Sequence, residues 1–310
     1  MIRRYFYIIL KNSIIYQNKN LFLLVLFFML NQSAKGQTTD LPLSDFSGQL
    51  HLERQQNTVL SKKQIVPEFE EILSGRKLKG SILLFDPKEN RYYSNDFEWT
   101  GVRRLPASTF KIPNSIIALE TGVMNNDSTM IPWTGEKRFL KSWEQDLSFR
   151  EAFQLSCVPC YQEIARKIGV KRMKEYLMKF DYGAMEVDEG NIDRFWLEGN
   201  SGISQMEQID FLRKFYDQQL PIAQRTFELV KKLMFVHNDH GYSLYGKTGM
   251  AARDGSNNGW YVGFIENQGK VIFFATNVTP VVEMTMEEFG PLRISASLSA
   301  LEWVLKYTNH

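Results

Sequence analysis

The sequence predicts an α/β chain of the α+β kind, with one sheet built from both ends of the chain and a helical lobe inserted between them. Short β-rich runs lie near residues 80–94 and again after residue 242, and the stretch between them reads at helical spacing. Strands so far apart share a sheet when the middle of the chain folds out as its own lobe, and ligand sites favour the cleft between such lobes. A chain of 310 residues, 44% hydrophobic and 23% charged, has ample material for this core.

Each element has its own signal. VPEFEEILSG (66–75) reads as a helix closed by Gly75, and GSILLFDPKENRYYSND (80–96) as a hairpin turning at Asp86-Pro87. From Ser108, residues Lys111, Ile112, Ile116 and Leu119 fall at helical spacing, with Gly122 as a stop. Further helices are expected over 149–167, 171–180, 205–216 and 223–235. After Tyr242, YSLYGKTGMA, GWYVGFIE and KVIFFATN read as strands, the last two joined by the hairpin signal NQG, and a helix over 292–307 ends the chain.

The N-terminus has another character. Arg3, Arg4, Lys11 and Lys19 precede the apolar run LFLLVLFFML, followed by small and polar NQSAKGQ, the order of a secretory signal peptide. Ten apolar residues are too few to span a bilayer, so export with cleavage near residues 34–36 is expected rather than a membrane anchor. The expected organisation is a signal over 1–36, an arm over 37–64 and one domain over 65–310, with its helical lobe at about 108–240. Residues 1–36 hold five basic residues and no acidic ones, so removing them takes the formal net charge from +2 to −3. That balance gives no footing for nucleic-acid binding.

LPASTFKIP places Ser108 and Lys111 three apart, on one face of a helix and inside an apolar stretch. A lysine forced into apolar surroundings loses its charge, and a neutral amine beside a serine can activate a nucleophile. The four histidines, at 51, 237, 240 and 310, fit neither a zinc pattern nor a triad, so the base must be something else. GKTG supplies Lys247, Thr248 and Gly249 on a strand edge, and Ser156 supplies a second hydroxyl at a helix start. The pair Cys157 and Cys160 invites a redox reading, but its flanks read helical rather than βαβ, so a structural role is expected.

In order, STFK, SCV, YG, FWLEG, KTG and GPLR resemble the class D, or oxacillinase-type, serine β-lactamases, and LPASTFKIPNSIIALETGV, SCVPCYQEIARKIG and GWYVGFIE extend that likeness from about residue 65 to the C-terminus. The resemblance implies a penicillin-binding-protein-like fold, an antiparallel sheet flanked by helices, and hydrolysis of β-lactams. It implies Ser108 as nucleophile, Lys111 as an N-carboxylated general base formed with carbon dioxide or bicarbonate, and Ser156 as a proton shuttle. Trp196 would hydrogen-bond the carbamate, with Val158 and Leu197 as its apolar wall. Lys247, Thr248, Gly249 and Arg293 would receive the substrate, and the main-chain N–H groups of Ser108 and Met250 would form the oxyanion hole. No metal or further cofactor is implied; the partner would be a small-molecule β-lactam, the enzyme a periplasmic monomer or homodimer. One departure stands out: where the family has Tyr-Gly-Asn, this chain has Tyr182-Gly183-Ala184. The alternatives are a β-lactam sensor or a transpeptidase, which acylate at the serine without fast deacylation.

Overall fold

The computed structural model describes residues 61–239, 241–253 and 256–307. The signal over 1–36 and all but the end of the arm over 37–64 lie outside them. The chain enters with strand β1 (Lys62–Ile65), helix α1 (Pro67–Ser74) and the hairpin β2 (Leu78–Asp86) and β3 (Arg91–Ser94). Helix α2 (Phe97–Gly101) and a 3-10 turn (Ala107–Phe110) lead into α3 (Lys111–Glu120). The pair β4 (Met130–Ile131) and β5 (Leu147–Ser148) precedes α4 (Phe149–Gln154), α5 (Val158–Ile168), α6 (Val170–Phe180), α7 (Gln205–Tyr216) and α8 (Gln224–Met234). Strands β6 (Phe235–Asp239), β7 (Tyr242–Arg253), β8 (Ser256–Asn267) and β9 (Lys270–Pro280) and helix α9 (Met286–Tyr307) close the chain.

The seven strands of the main sheet run β1-β3-β2-β9-β8-β7-β6, so β2 and β9, far apart in sequence, lie side by side with Leu83 opposite Ala275. Period-2 alternation sends neighbouring side chains to opposite faces and divides the core. Ile82, Leu84, Tyr261 and Phe274 pack with Phe69 of α1 and Leu301 of α9. Leu83, Phe85, Val262 and Phe273 pack against the helical lobe, together with Ile116, Ile164, Leu212 and Leu233. The turn signals hold as well. Asp86 Oδ1 accepts from the N–H groups of Lys88 and Glu89, and consecutive positive φ at Gln268 and Gly269 closes the β8–β9 hairpin.

Three expectations need correction. The sheet is mixed rather than antiparallel, because β1 pairs parallel with β3 at the edge. Its KKQI sequence carries one apolar side chain, Ile65, which faces solvent, so no burial pattern announces it. The helix expected over 149–167 is two helices. Pro159 has no N–H to donate to Leu155, whose carbonyl instead accepts from Trp143 Nε1 at 3.0 Å, and the chain breaks at Ser156, φ 55°. The last helix starts at Met286, six residues before its expected start, and continues through Pro291, where one ladder bond is lost.

Candidate active site

The 3-10 turn that carries Ser108 is held from several sides. Leu105 O accepts from Trp260 Nε1 at 2.9 Å and from Asn258 Nδ2 at 3.1 Å, both on β8. Ala107, a non-glycine residue at φ 50°, donates its N–H to Trp196 O at 2.9 Å. Such a conformation costs an L-residue about 1–3 kcal/mol and persists where the surroundings over-determine it. Thr109 Oγ1 donates to Pro106 O at 2.7 Å and accepts from Gln208 Nε2 of α7 at 2.9 Å. On β7, a Cβ at Gly249 would stand 2.9 Å from Pro106 O and 3.1 Å from Thr109 N, so only glycine lets the strand lie against the turn.

This scaffold brings Ser108 and Lys111 together: Lys111 Nζ donates to Ser108 Oγ at 2.9 Å. Lys111, the first residue of α3, is 1% exposed and has no acidic partner among the described residues. Burial first, and the charge of Lys247 second, hold its pKa well below the ordinary lysine value. The buried Trp196 indole stacks at 5.2 Å on Phe110, the residue before Lys111, and its N–H has no hydrogen-bond partner. A buried donor without an acceptor costs about 1–3 kcal/mol, so this N–H is a vacancy for an anion or another acceptor. Tyr161 closes the floor, its ring centroid 5.1 Å from Lys111 Nζ and its hydroxyl 2.8 Å from Ser115 Oγ.

A second lysine–serine pair faces the first. Lys247 Nζ donates to Ser156 Oγ at 2.6 Å and to Thr248 O at 3.0 Å. Burial, followed by the charge of Arg293, brings its pKa down to about 7. Arg293, on α9, is 8% exposed; burial lowers its pKa to about 10, its Nη1 lies 3.5 Å from Met250 Sδ and its Nε has no partner. Among the described residues no carboxylate pairs with it, which leaves a buried cation whose natural complement is an anionic ligand. Pairing between β6 and β7 stops at Phe235 opposite Tyr245, so β7 presents a free edge from Gly246 onward. A cavity of about 510 Å³ runs along it, lined by Phe153, Lys247, Thr248, Ile294 and Leu298.

The sequence-predicted residues thus fall into two groups, Ser108, Lys111 and Trp196, and Ser156, Lys247, Thr248, Gly249, Met250 and Arg293, linked where Gly249 lies against the Ser108 turn and where the charge of Lys247 acts on Lys111. Val158 and Leu197 pack half-buried on the helical-lobe core. Ala184, which replaces the family's asparagine, is exposed, and its main chain exchanges two 2.8 Å hydrogen bonds with Gly202. Those bonds secure the segment without a side-chain amide. The residues that sequence reading missed are supports: Trp260, Asn258 and Gln208, which grip the turn that carries Ser108, and Arg138, which reaches the Cys157–Cys160 disulfide. A buried Gln beside a Thr or a Trp on a core strand carries no signal of its own. The CxxC pair is joined as a disulfide, and its flanks are the helices α4 and α5 rather than a βαβ unit. Of the histidines, 51, 240 and 310 lie outside the described residues, and His237, on β6, lines the cavity that runs along Lys247 and Thr248.

The chain resembles known proteins in sequence and in fold. A family model described as the penicillin binding protein transpeptidase domain matches residues 81–287. β-Lactamase OXA-48 of Klebsiella pneumoniae is 40% identical over 65% of this chain and 76% of its own length. β-Lactamase OXA-10 of Pseudomonas aeruginosa is 38% identical over 74% of this chain and 85% of its own. The crystal structure of the class D β-lactamase from Sebaldella termitidis superposes with a TM-score of 0.75 at 34% identity, over 79% of this chain and 98% of that one. That of the class D β-lactamase YbXI from Nostoc gives 0.71 at 39%, over 76% and 97%.

Proposed function

The chain belongs to the class D β-lactamases, hydrolases of the β-lactam amide, and from that premise we propose that Ser108 is the nucleophile, Lys111 the N-carboxylated base and Ser156 the proton shuttle. The observation that carries this reading is the buried Lys111 amine, 2.9 Å from Ser108 Oγ and with its pKa held well below the ordinary lysine value, together with the unpartnered N–H of Trp196, whose ring stacks on Phe110. The residues fit a carboxylated lysine: a neutral amine can attack carbon dioxide, and the Trp196 N–H is an unused donor for the resulting carboxylate. Once formed, that group supplies a general base for acylation and for the deacylating water.

Ser108 Oγ gives up its proton on the Lys111 side and attacks the lactam carbonyl; the C–N bond breaks and the ester remains on Ser108. Ser156, bonded to Lys247, delivers a proton to the departing nitrogen. Main-chain N–H groups of Ser108 and Met250 receive the oxyanion. Lys247, Thr248 and Arg293 hold the substrate carboxylate, Arg293 supplying the fixed charge. Val158 and Leu197 keep water from the base. Water then cleaves the ester, yielding the ring-opened acid and free Ser108. Export is part of the reading: residues 1–36 are the signal, the mature enzyme works in the periplasm as a monomer or homodimer, and among the described residues no helix is long and apolar enough to cross a membrane.

The test is steady-state hydrolysis of a chromogenic cephalosporin with and without bicarbonate, beside Lys111→Ala. Turnover that rises with bicarbonate and falls by about 10³-fold in the variant is expected for loss of a general base. One stoichiometric burst without turnover would instead mean a sensor or transpeptidase that keeps its acyl ester.

A further inference from the structure

The geometry points to the Cys157–Cys160 disulfide as a positioning element of the catalytic cleft, one that holds Ser156 where its hydroxyl meets Lys247. The inference rests on Ser156 acting as the proton donor described above.

Ser156 occupies the junction between α4 and α5 at φ 55°, a region that an L-residue enters only under constraint. Both of its neighbours are tied down. On one side, Leu155 O accepts from Trp143 Nε1 at 3.0 Å. On the other, Cys157 N donates to Ala152 O at 2.9 Å, and the Cys157 side chain is bonded covalently to Cys160, one turn into α5. Cys160 N in turn donates to Cys157 Sγ at 3.3 Å, so the bridge also caps the helix that starts behind Ser156.

The bridge reaches further than this turn. Arg138 Nη1 lies 3.9 Å from Cys157 Sγ and 3.8 Å from Cys160 Sγ while donating to Trp143 O at 2.8 Å. The same guanidinium pairs with Glu136 at 2.6 Å. The loop that supplies the Trp143 clamp therefore rests on the two sulfurs, which are buried. Opening the bridge frees Cys157 and the seat of Arg138 together, and both flanks of Ser156 relax toward ordinary φ. A relaxed Ser156 swings its hydroxyl away from Lys247. Acylation, which needs the proton on the leaving nitrogen, suffers; deacylation, which draws on the Ser108–Lys111 side, does not.

The experiment is a double-mutant cycle between Cys157→Ala/Cys160→Ala and Ser156→Ala, with acylation and deacylation rate constants measured separately in the full chain on a chromogenic cephalosporin. Wild-type enzyme reduced with dithiothreitol, its two released thiols counted, gives the same readout without a substitution. Removing the bridge should slow acylation about tenfold, leave deacylation unchanged, and add nothing once Ser156 is alanine, a coupling typical of residues acting as a unit. Equal losses in both steps, or losses that add to those of Ser156→Ala, would reduce the bridge to a general stabiliser and overturn the proposal. So would unchanged acylation in bridge-free enzyme when Ser156→Ala is slow. If Ser156→Ala itself acylates at the wild-type rate, the role of Ser156 fails first and the proposal falls with it.

Discussion

Lys111 and Lys247 share one buried cleft, and burial first, with the charge of Lys247 second, keeps the Lys111 amine far below the ordinary lysine range. Lys247 is itself lowered by burial and by Arg293. Arg293, Lys247 and Lys111 are thus each lowered by burial, and the two lysines also by a neighbouring charge, Lys247 by Arg293 and Lys111 by Lys247. Arg293, at about 10, keeps its charge through the neutral range, Lys247 lies at about 7, and Lys111 is held well below the ordinary lysine value. In the mechanism proposed above, this arrangement would place anion binding at Arg293 and base chemistry at Lys111.

Arg293→Ala tests this arrangement. Losing a charge-assisted hydrogen bond to the substrate carboxylate costs about 1.5–3 kcal/mol, or about 10- to 100-fold in affinity. That loss should enter through KM, with kcat little changed, because the bond is made in ground state and transition state alike. Removing the arginine also relieves Lys247, so the basic limb of kcat/KM should move upward from about 7. An unchanged KM would show that the carboxylate is held elsewhere.

The same shifts set how stability varies with pH. Lys247 has a folded pKa of about 7 against an ordinary 10.5, and Lys111 is displaced the same way. Above pH 7 and up to that ordinary value the unfolded chain binds protons that the folded chain does not, so stability rises with pH. Burial raises Tyr161, Tyr182 and Tyr261 above the ordinary 10.0, so beyond that pH the folded chain keeps protons that the unfolded one has lost, and stability falls. The urea midpoint should climb from about pH 7 and turn over near pH 10. A midpoint that falls steadily from pH 7 would mean that Lys247 is charged in the folded enzyme.

How much of this was legible depends on whether a residue's role is written in its own neighbourhood. Ser108 and Lys111 are, because three-residue spacing on a helix face is a local rule and α3 begins where the pattern says. The two halves of the sheet are as well, since strand alternation and the turn at Gln268-Gly269 are local. The break at Ser156 is not: apolar periodicity runs through 149–167, and the break follows from Pro159 together with a donor for Leu155 O that comes from Trp143, a dozen residues upstream. Ala107 is silent for the same reason, as its positive φ is enforced by Trp196 O and by the hold on Leu105 O, contacts spanning the whole chain. The vacancy at Trp196 Nε1 is a property of packing alone.

Trp196→Phe probes that vacancy with two readouts of opposite sign. The ring that stacks on Phe110 is largely kept, while the unpartnered N–H is removed. The bicarbonate concentration for half-maximal activity should rise about tenfold or more, the worth of one hydrogen bond to a charged group. In bicarbonate-free buffer the urea midpoint should hold or rise, because a buried unsatisfied donor has gone. The ¹³C carbamate signal in labelled bicarbonate should weaken in parallel. Activity and carbamate signal both unchanged would place the acceptor of that N–H elsewhere.

Gly249→Ala asks whether the strand can move from the nucleophile. The added methyl would stand 2.9 Å from Pro106 O, 3.0 Å from Thr109 Cγ2 and 3.1 Å from Thr109 N, three atoms of the turn that carries Ser108. Pro106 O and Thr109 N are backbone, and Thr109 Oγ1 is fixed by Pro106 O and Gln208, so the turn has no soft side chain with which to yield. Overpacking of this kind costs about 1–3 kcal/mol. In a domain of this size that lowers the melting temperature by about 2–4 °C for each kcal/mol. Strand and turn would separate by a few tenths of an ångström, widening the space between the Met250 and Ser108 N–H groups. Loss of one oxyanion donor costs about 10²–10³ in kcat, so a partial misfit should lower kcat by about tenfold or more while KM, set at Arg293, stays near the wild-type value. A fall in melting temperature with unchanged kcat would show that the strand accommodates the methyl without moving the oxyanion hole.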